Sequence, residues 1–141
     1  MFSLIYVSVI AGELMHYKYR PSSSYLIGAA LSVNNRIGVD LVDNRRIKKY
    51  LSGSFLRHIL SEEELAEYSV RKDPITYVAG RIAAKEAILK CLVDRPITDF
   101  TKITITNGPF GEPMVHFEDY VIQVSISHEK DYTVAVALIQ A

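Results

Sequence analysis

The sequence predicts an α+β fold in which an antiparallel sheet packs against one long central helix. Three observations predict it. Residues 75–93 form a proline-free run dominated by Ala, Ile, Leu, Lys and Glu, most of them strong helix formers. Beyond residue 101 the chain breaks into short segments of alternating β-branched and polar residues separated by turn residues, as antiparallel strands do. In RIGVDLV, residues 36–42, Ile37, Val39 and Leu41 share one strand face, and Gly38, Asp40 and Val42 share the other. The 141 residues read as a single domain, 1–141, long enough to bury a core. With 49% hydrophobic and 23% charged residues, the composition is that of a soluble globular protein.

Taken in order, residues 2–10 are rich in Phe, Ile, Tyr and Val and predict a strand. They lack the basic start and small-residue cleavage site of a signal peptide. Residues 13–24 carry Pro and Ser punctuation and predict a loop. Tyr25 to Val33 is short and apolar, a buried strand. Asn34-Asn35 turns it into RIGVDLV, so the two would form a hairpin with Asp40 on a rigid element beside a glycine that leaves room above the backbone. Asp43-Asn44 offers an N-cap for a helix through Leu60, broken near Ser52-Gly53-Ser54. Its apolar stripe is Ile47, Tyr50 and Leu51, and Arg45, Lys48 and Lys49 point away. Ser61 with Glu64 is a capping box for a short helix that ends before Arg71. Asp73-Pro74 caps the central helix, predicted from about Ile75 to Val93 and stopped by Pro96. Strands follow at Lys102–Thr106, Met114–Phe117, Val121–Ser127 and Tyr132–Ile139, the last two joined by a turn at 128–131. YLIGAAL (Tyr25–Leu31) weakly echoes YTVAVAL (Tyr132–Leu138).

Charge excludes some classes of function. Lys+Arg and Asp+Glu number 16 each, so bulk charge points neither to nucleic acid nor to a membrane surface. The local balance is uneven. Arg36, Arg45, Arg46, Lys48, Lys49 and Arg57 face only Asp40 and Asp43 between residues 36 and 60, which suggests a docking face for an acidic partner. A lone cysteine, Cys91, excludes an internal disulfide and suits a reducing compartment. It falls on the small-residue side of the central helix, so a buried, inert thiol is expected. No apolar run is long enough to span a membrane, and the expected location is the cytoplasm.

The chemistry starts from Glu86. Val78, Ala79, Ile82, Ala83, Leu89 and Val93 fall on one arc of the central helix, with Glu86 near its middle and Lys90 beside it. A carboxylate aimed at an apolar face needs a cation. That cation is either Lys90, one turn on, or a metal ion shared with a second acidic residue. Asp40 on its strand and His128 at a strand end supply the context. Two carboxylates from separate elements suit Mg²⁺, a lysine beside them suits phosphate charge, and a strand-end histidine can bind phosphate or move a proton. Together these residues are equipment for reaction at a phosphate ester or diphosphate, and Glu86 and Lys90 read as two contacts to one bound group.

IGVDLVDNRRI, GRIAAKEAILK, GPFGEPMV and VSISHEKDYTVAVAL stand in an order and spacing that resembles the 4'-phosphopantetheinyl transferases, most of all the compact holo-acyl-carrier-protein synthase class. The resemblance covers residues 34–141 and leaves 1–33 as an N-terminal extension that contains strand. It implies that family's fold and the transfer of the phosphopantetheine arm of coenzyme A to a serine of an apo acyl carrier protein, with release of adenosine 3',5'-bisphosphate. It further implies that Asp40 and Glu86 bind Mg²⁺ and that Lys90 contacts the coenzyme A phosphates, these three forming the catalytic set. Arg81 and His128 match further coenzyme A contacts, and Ser127 of the same Ser-x-Ser-His block is grouped with them. Glu86 or a water on the metal takes the serine proton. Arg46 matches a carrier-docking arginine, with Arg45, Lys48 and Lys49 beside it.

Three features depart from the family pattern. CLVDRPITDF replaces the Gly-rich loop that usually follows the second lysine, Glu112 stands where the Gly-x-Pro loop usually has a basic residue, and Val42 occupies the third acidic position of the two-lobed class. The changed loop motivates a second reading, a non-catalytic relative that binds carrier protein or coenzyme A. A third is a Mg²⁺-dependent diphosphatase. Compact members are trimers and two-lobed ones monomers, so a homo-oligomer, trimeric in the compact pattern, is expected.

Overall fold

A computed structural model describes residues 35–93 and 97–140. The chain runs β1 (Asn35–Asp43), α1 (Asn44–Tyr50), α2 (Gly53–Ile59), α3 (Glu62–Ser69), α4 (Pro74–Cys91), a 3₁₀ turn (Phe100–Lys102), β2 (Thr104–Asn107), β3 (Pro113–His116), β4 (Ile122–His128) and β5 (Tyr132–Gln140). β1, β5 and β4 form an antiparallel sheet in that order, and β2 and β3 form a separate antiparallel pair. The structure is α+β, with the sheet packed against α4 as the sequence predicts.

Helix boundaries follow local capping chemistry. The Asp43 side chain accepts from Arg45 N to start α1, and Ser52 accepts from Phe55 N to start α2, which places the break where Ser52-Gly53-Ser54 predicts it. Both halves of the Ser61–Glu64 capping box are present at α3. Asp73 accepts from Thr76 N and Pro74 opens α4, which ends at Cys91, two residues before the predicted Val93. The strand expected at Lys102–Thr106 begins instead with the 3₁₀ turn, because the Asp99 side chain accepts from Thr101 N and tightens the chain there. The strands expected on residues 2–10 and 25–33, the hairpin to 36–42, the echo of β5 and the stop at Pro96 lie outside the described residues.

The register sets the functional face. Asp40 stands opposite Ala135, which stands opposite Ile126. Two residues on, Val42, Thr133 and His128 form the next row. Gly38, Asp40, Val42, Thr133, Ala135 and Ala137 are all buried beneath α4. A Cβ on Gly38 would sit 1.9 Å from the Ala87 carbonyl oxygen. The space that the glycine was expected to leave is therefore filled by the α4 backbone, and this close approach lays the helix on the strand.

α4 is not a one-faced helix. The predicted arc buries Val78, Ala79, Ile82 and Ala83, but the opposite side buries Ala84, Ala87, Ile88 and Cys91 as completely, and Val93 is 57% exposed. A helix apolar all round belongs inside a core, with the sheet on one side and α1–α3 on the other. Cys91 is buried as expected. Its thiol donates to Ala137 O, and burial pushes it up to about 11.

Candidate active site

β1 and α4 bring Asp40, Glu86 and Lys90 together. Lys90 Nζ donates to Val39 O at 2.6 Å and to Asp40 Oδ1 at 3.0 Å. Asp40 Oδ2 is buried and has no hydrogen-bond partner. Burial raises the Asp40 carboxyl above its ordinary range, against the pull of Lys90. Glu86, half-buried one turn before Lys90, is raised first by burial and then by the Asp40 charge. Of the two partners open to Glu86 from the sequence, the structure corrects Lys90, which spends its ammonium on β1 and not on its own helix. It is 7% exposed, about as closed to solvent as Asp40 at 6%.

Two carboxylates, one ammonium and an orphaned buried oxygen suit a hard cation. Among the described residues no group of three or more His, Cys, Asp or Glu could hold a metal, so Mg²⁺ here would rest on Asp40 and Glu86 and complete its shell with water and substrate oxygens.

Glu86 opens on a cavity of about 400 Å³ whose walls include Arg46, Ile47 and Tyr50 of α1, Phe55 and Ile59 of α2, and Phe100. A second cavity, about 480 Å³, lies between the loop before α4 and the sheet. Arg71, Lys72, Asp73, Thr76, Tyr77, Arg81, Asn107 and His128 line it. Its cations outnumber its one carboxylate, which is the balance an anionic ligand needs. Arg81 is 5% exposed, lies over the Tyr77 ring at 4.5 Å, and donates to Asn107 Oδ1 at 2.9 Å and Glu67 Oε2 at 3.3 Å. His128 Nδ1 meets Thr133 Oγ1 at 3.0 Å, and its ring packs over Gly80. Burial lowers the His128 pKa, with Asp73 opposing.

Ser127 is not part of either cavity. It pairs with Val134 on the opposite sheet face from His128 and is exposed, because adjacent strand residues point to opposite sides. Of the four docking candidates, Arg45, Arg46, Lys48 and Lys49 are all exposed on α1. Arg45 is held by a double contact to Asp43, by Tyr132 Oη and by the Tyr132 ring, whereas Arg46 borders the Glu86 cavity.

Sequence reasoning missed a fully buried ion pair. Lys85 Nζ donates to Glu64 Oε2 at 2.5 Å and to the carbonyls of Ile59 and Phe100, and Glu64 also accepts from Ser61 N and Ile105 N. Glu64 was visible only as a cap. Lys85, in an apolar helix, demands a counter-ion for the same reason as Glu86 does, and that signal was available.

A profile described as the 4'-phosphopantetheinyl transferase superfamily matches residues 36–137. A holo-[acyl-carrier-protein] synthase of Mycoplasma capricolum is 40% identical over 108 residues, covering 75% of this chain and 94% of that protein. One from Acholeplasma laidlawii is 34% identical over 111 residues, covering 74% and 94%. Among solved structures, a holo-(acyl-carrier-protein) synthase from Bacillus anthracis in complex with CoA (3',5'-ADP) superposes with a TM-score of 0.68 at 33% identity, covering 74% of this chain and 95% of that one. The Helicobacter pylori enzyme in complex with coenzyme A gives 0.65 at 28%, covering 74% and 99%.

Proposed function

The chain belongs to the 4'-phosphopantetheinyl transferase superfamily, and on that premise we propose that it moves the 4'-phosphopantetheine arm of coenzyme A to a serine of an apo acyl carrier protein. The observation that carries this reading is the pairing of Asp40 and Glu86 from separate elements around an unpartnered Asp40 Oδ2. The serine hydroxyl attacks the β-phosphate, the bond to adenosine 3',5'-bisphosphate breaks, and the serine gives up its proton. Mg²⁺ held by Asp40 and Glu86 would neutralise diphosphate charge as the leaving group departs. Glu86 takes the serine proton. It shares its cavity wall with one other carboxylate, Asp43, which Arg45 already occupies. Lys90 holds Asp40 in place. Arg81 and His128, on the basic cavity, meet the coenzyme A phosphates.

The carrier protein docks on α1, where Arg46 and the exposed Lys48 and Lys49 lead to the Glu86 cavity. One hydrophobic core running through the described elements supports a single domain over the family core, 34–141. The outer sheet face supports a homo-oligomer, trimeric in the compact pattern. Leu41, Tyr132 and Val136 are 60%, 46% and 41% exposed there, beside half-buried Ile37, Val39, Val134 and Leu138. No helix among the described residues is long and apolar enough to cross a membrane, and the single unpaired thiol is compatible with the cytoplasm.

Incubation with apo carrier protein, coenzyme A and Mg²⁺ should add the arm's mass to the carrier, and Asp40→Ala or Glu86→Ala should abolish the gain. Carrier binding without any mass gain would support the non-catalytic reading instead. Release of phosphopantetheine to water without an acceptor would support a diphosphatase.

A further inference from the structure

The hydrogen-bond chain behind His128 fixes its protonation pattern. Asn44 is 5% exposed at the start of α1. One side of its amide lies 3.0 Å from Glu129 O and 3.4 Å from Lys130 O. Two carbonyl oxygens can only accept, so the amide nitrogen must face them and Oδ1 must face Thr133. Asn44 Oδ1 has no proton to give, so the Thr133 hydroxyl donates to it, at 2.8 Å. Thr133 is fully buried and has one hydroxyl proton. Toward His128, at 3.0 Å, its oxygen is left only to accept, and Nδ1 must carry a hydrogen. Nε2 is therefore the atom that titrates.

We propose that Asn44 and Thr133 are positioning residues that lock His128 as the Nδ1–H tautomer, so that phosphate binding in the basic cavity takes up one proton at His128 Nε2. A neutral ring in this tautomer presents a lone pair at Nε2, which repels a phosphate oxygen. The protonated ring presents an N–H, which attracts it. The groups facing His128 from the elements around it are Asp73, Arg71 and Lys72 of the loop before α4, Tyr77 and Arg81 of α4, Asn107 of β2 and Thr133 of β5. Asp73 favours the charged ring and Arg81 opposes it. A dianionic phosphate shifts that balance toward the cation. The identity of the phosphate as part of coenzyme A rests on the function proposed above, whereas the tautomer does not.

Nitrogen-15 spectra of the intact protein, at a pH where His128 is neutral, read the tautomer directly. Wild type should show a protonated Nδ1 and a bare Nε2. Thr133→Val, which offers no acceptor, should shift His128 toward Nε2–H, and Thr133→Ser should keep the wild-type pattern. A wild-type ring protonated at Nε2 when neutral, or a Thr133→Val spectrum identical to wild type, overturns the lock. Calorimetry of coenzyme A binding in buffers of different ionisation enthalpy should show proton uptake in wild type and none in His128→Gln. Affinity should fall by up to about tenfold per pH unit through the His128 titration. Uptake unchanged in His128→Gln overturns the proton linkage. A protein that shows the tautomer but binds no coenzyme A refutes the functional reading and leaves the lock standing.

Discussion

Replacing Gly38 with alanine inserts one methyl group between β1 and α4. Its Cβ would stand 1.9 Å from Ala87 O and 2.9 Å from Ala87 C, with Cys91 Sγ at 3.1 Å. The nearest atoms belong to backbone, so no side-chain rotation relieves the overlap. Ordinary contact begins near 3.4 Å, and the helix must therefore withdraw by about 1.5 Å at Ala87. Glu86 is the preceding residue and Lys90 the next turn, so the shift separates both from Asp40 on the strand. Overpacking of this kind costs about 1–3 kcal/mol of stability. A displacement of about 1 Å between reacting groups costs on the order of 100-fold in rate. Gly38→Ala should thus lower kcat/KM for apo carrier protein by roughly 100-fold in protein that is still folded by circular dichroism and urea titration. Gly53→Ala is the control, because its Cβ would meet only the end of the Arg57 side chain at 3.3 Å. A folded Gly38→Ala enzyme with activity within about twofold of wild type would refute the claim that this contact sets the site.

Four further outcomes follow from the same structure. Glu64→Ala strands the Lys85 ammonium in the core and should cost about 3–5 kcal/mol in urea unfolding, whereas Glu64→Leu with Lys85→Met should recover only part of it, because Ser61 N, Ile105 N and the Ile59 and Phe100 carbonyls lose their partners. Mg²⁺ should raise the melting temperature of wild type and leave Asp40→Asn and Glu86→Gln unmoved, as read by thermal shift without substrate. Lys48→Glu should raise KM for the carrier by roughly tenfold with little change in kcat, and added salt should shrink the difference. Cys91 keeps its proton up to about 11 when folded, against 9.0 for an ordinary thiol, so its contribution to stability is lost as pH rises between those values. Urea titrations at either end should show a greater loss in wild type than in Cys91→Ala, and thiol reagents should label the protein only when it is unfolded.

What the sequence made legible is what local chemistry determines. Caps at Asp43, Ser52, Ser61 and Asp73 start four helices where the residue types say they must. Strand alternation puts Asp40 and His128 on the same side of the sheet and Ser127 on the other, although Ser127 and His128 are adjacent in the Ser-x-Ser-His block. Partners that lie far apart in sequence were not legible. Lys85 and Glu64 are separated by 21 residues, Thr133 and Asn44 by 89, and Lys90 and Asp40 by 50. Each pair is fixed by how helix and sheet pack, and helical periodicity alone gave α4 a single apolar arc where packing buries it all round.

The charge balance on α4 bears on the two partners first open to Glu86. Lys85 is matched by Glu64 and Lys90 by Asp40, at 2.5 Å and 3.0 Å. Neither ammonium is within ion-pair distance of Glu86, although Lys90 is the i+4 neighbour that would suit it on an isolated helix. The tertiary pairing wins because an ammonium in the core gains more from a buried carboxylate and a carbonyl than from a half-exposed neighbour along the helix. Asp40 Oδ2 stays bare, and Glu86 receives neither of these ammonium groups. Burial raises both carboxyls, and the Asp40 charge adds to the rise at Glu86. A positive charge between them would oppose that rise, so the Lys90–Asp40 bond is compatible with the metal proposed at Glu86.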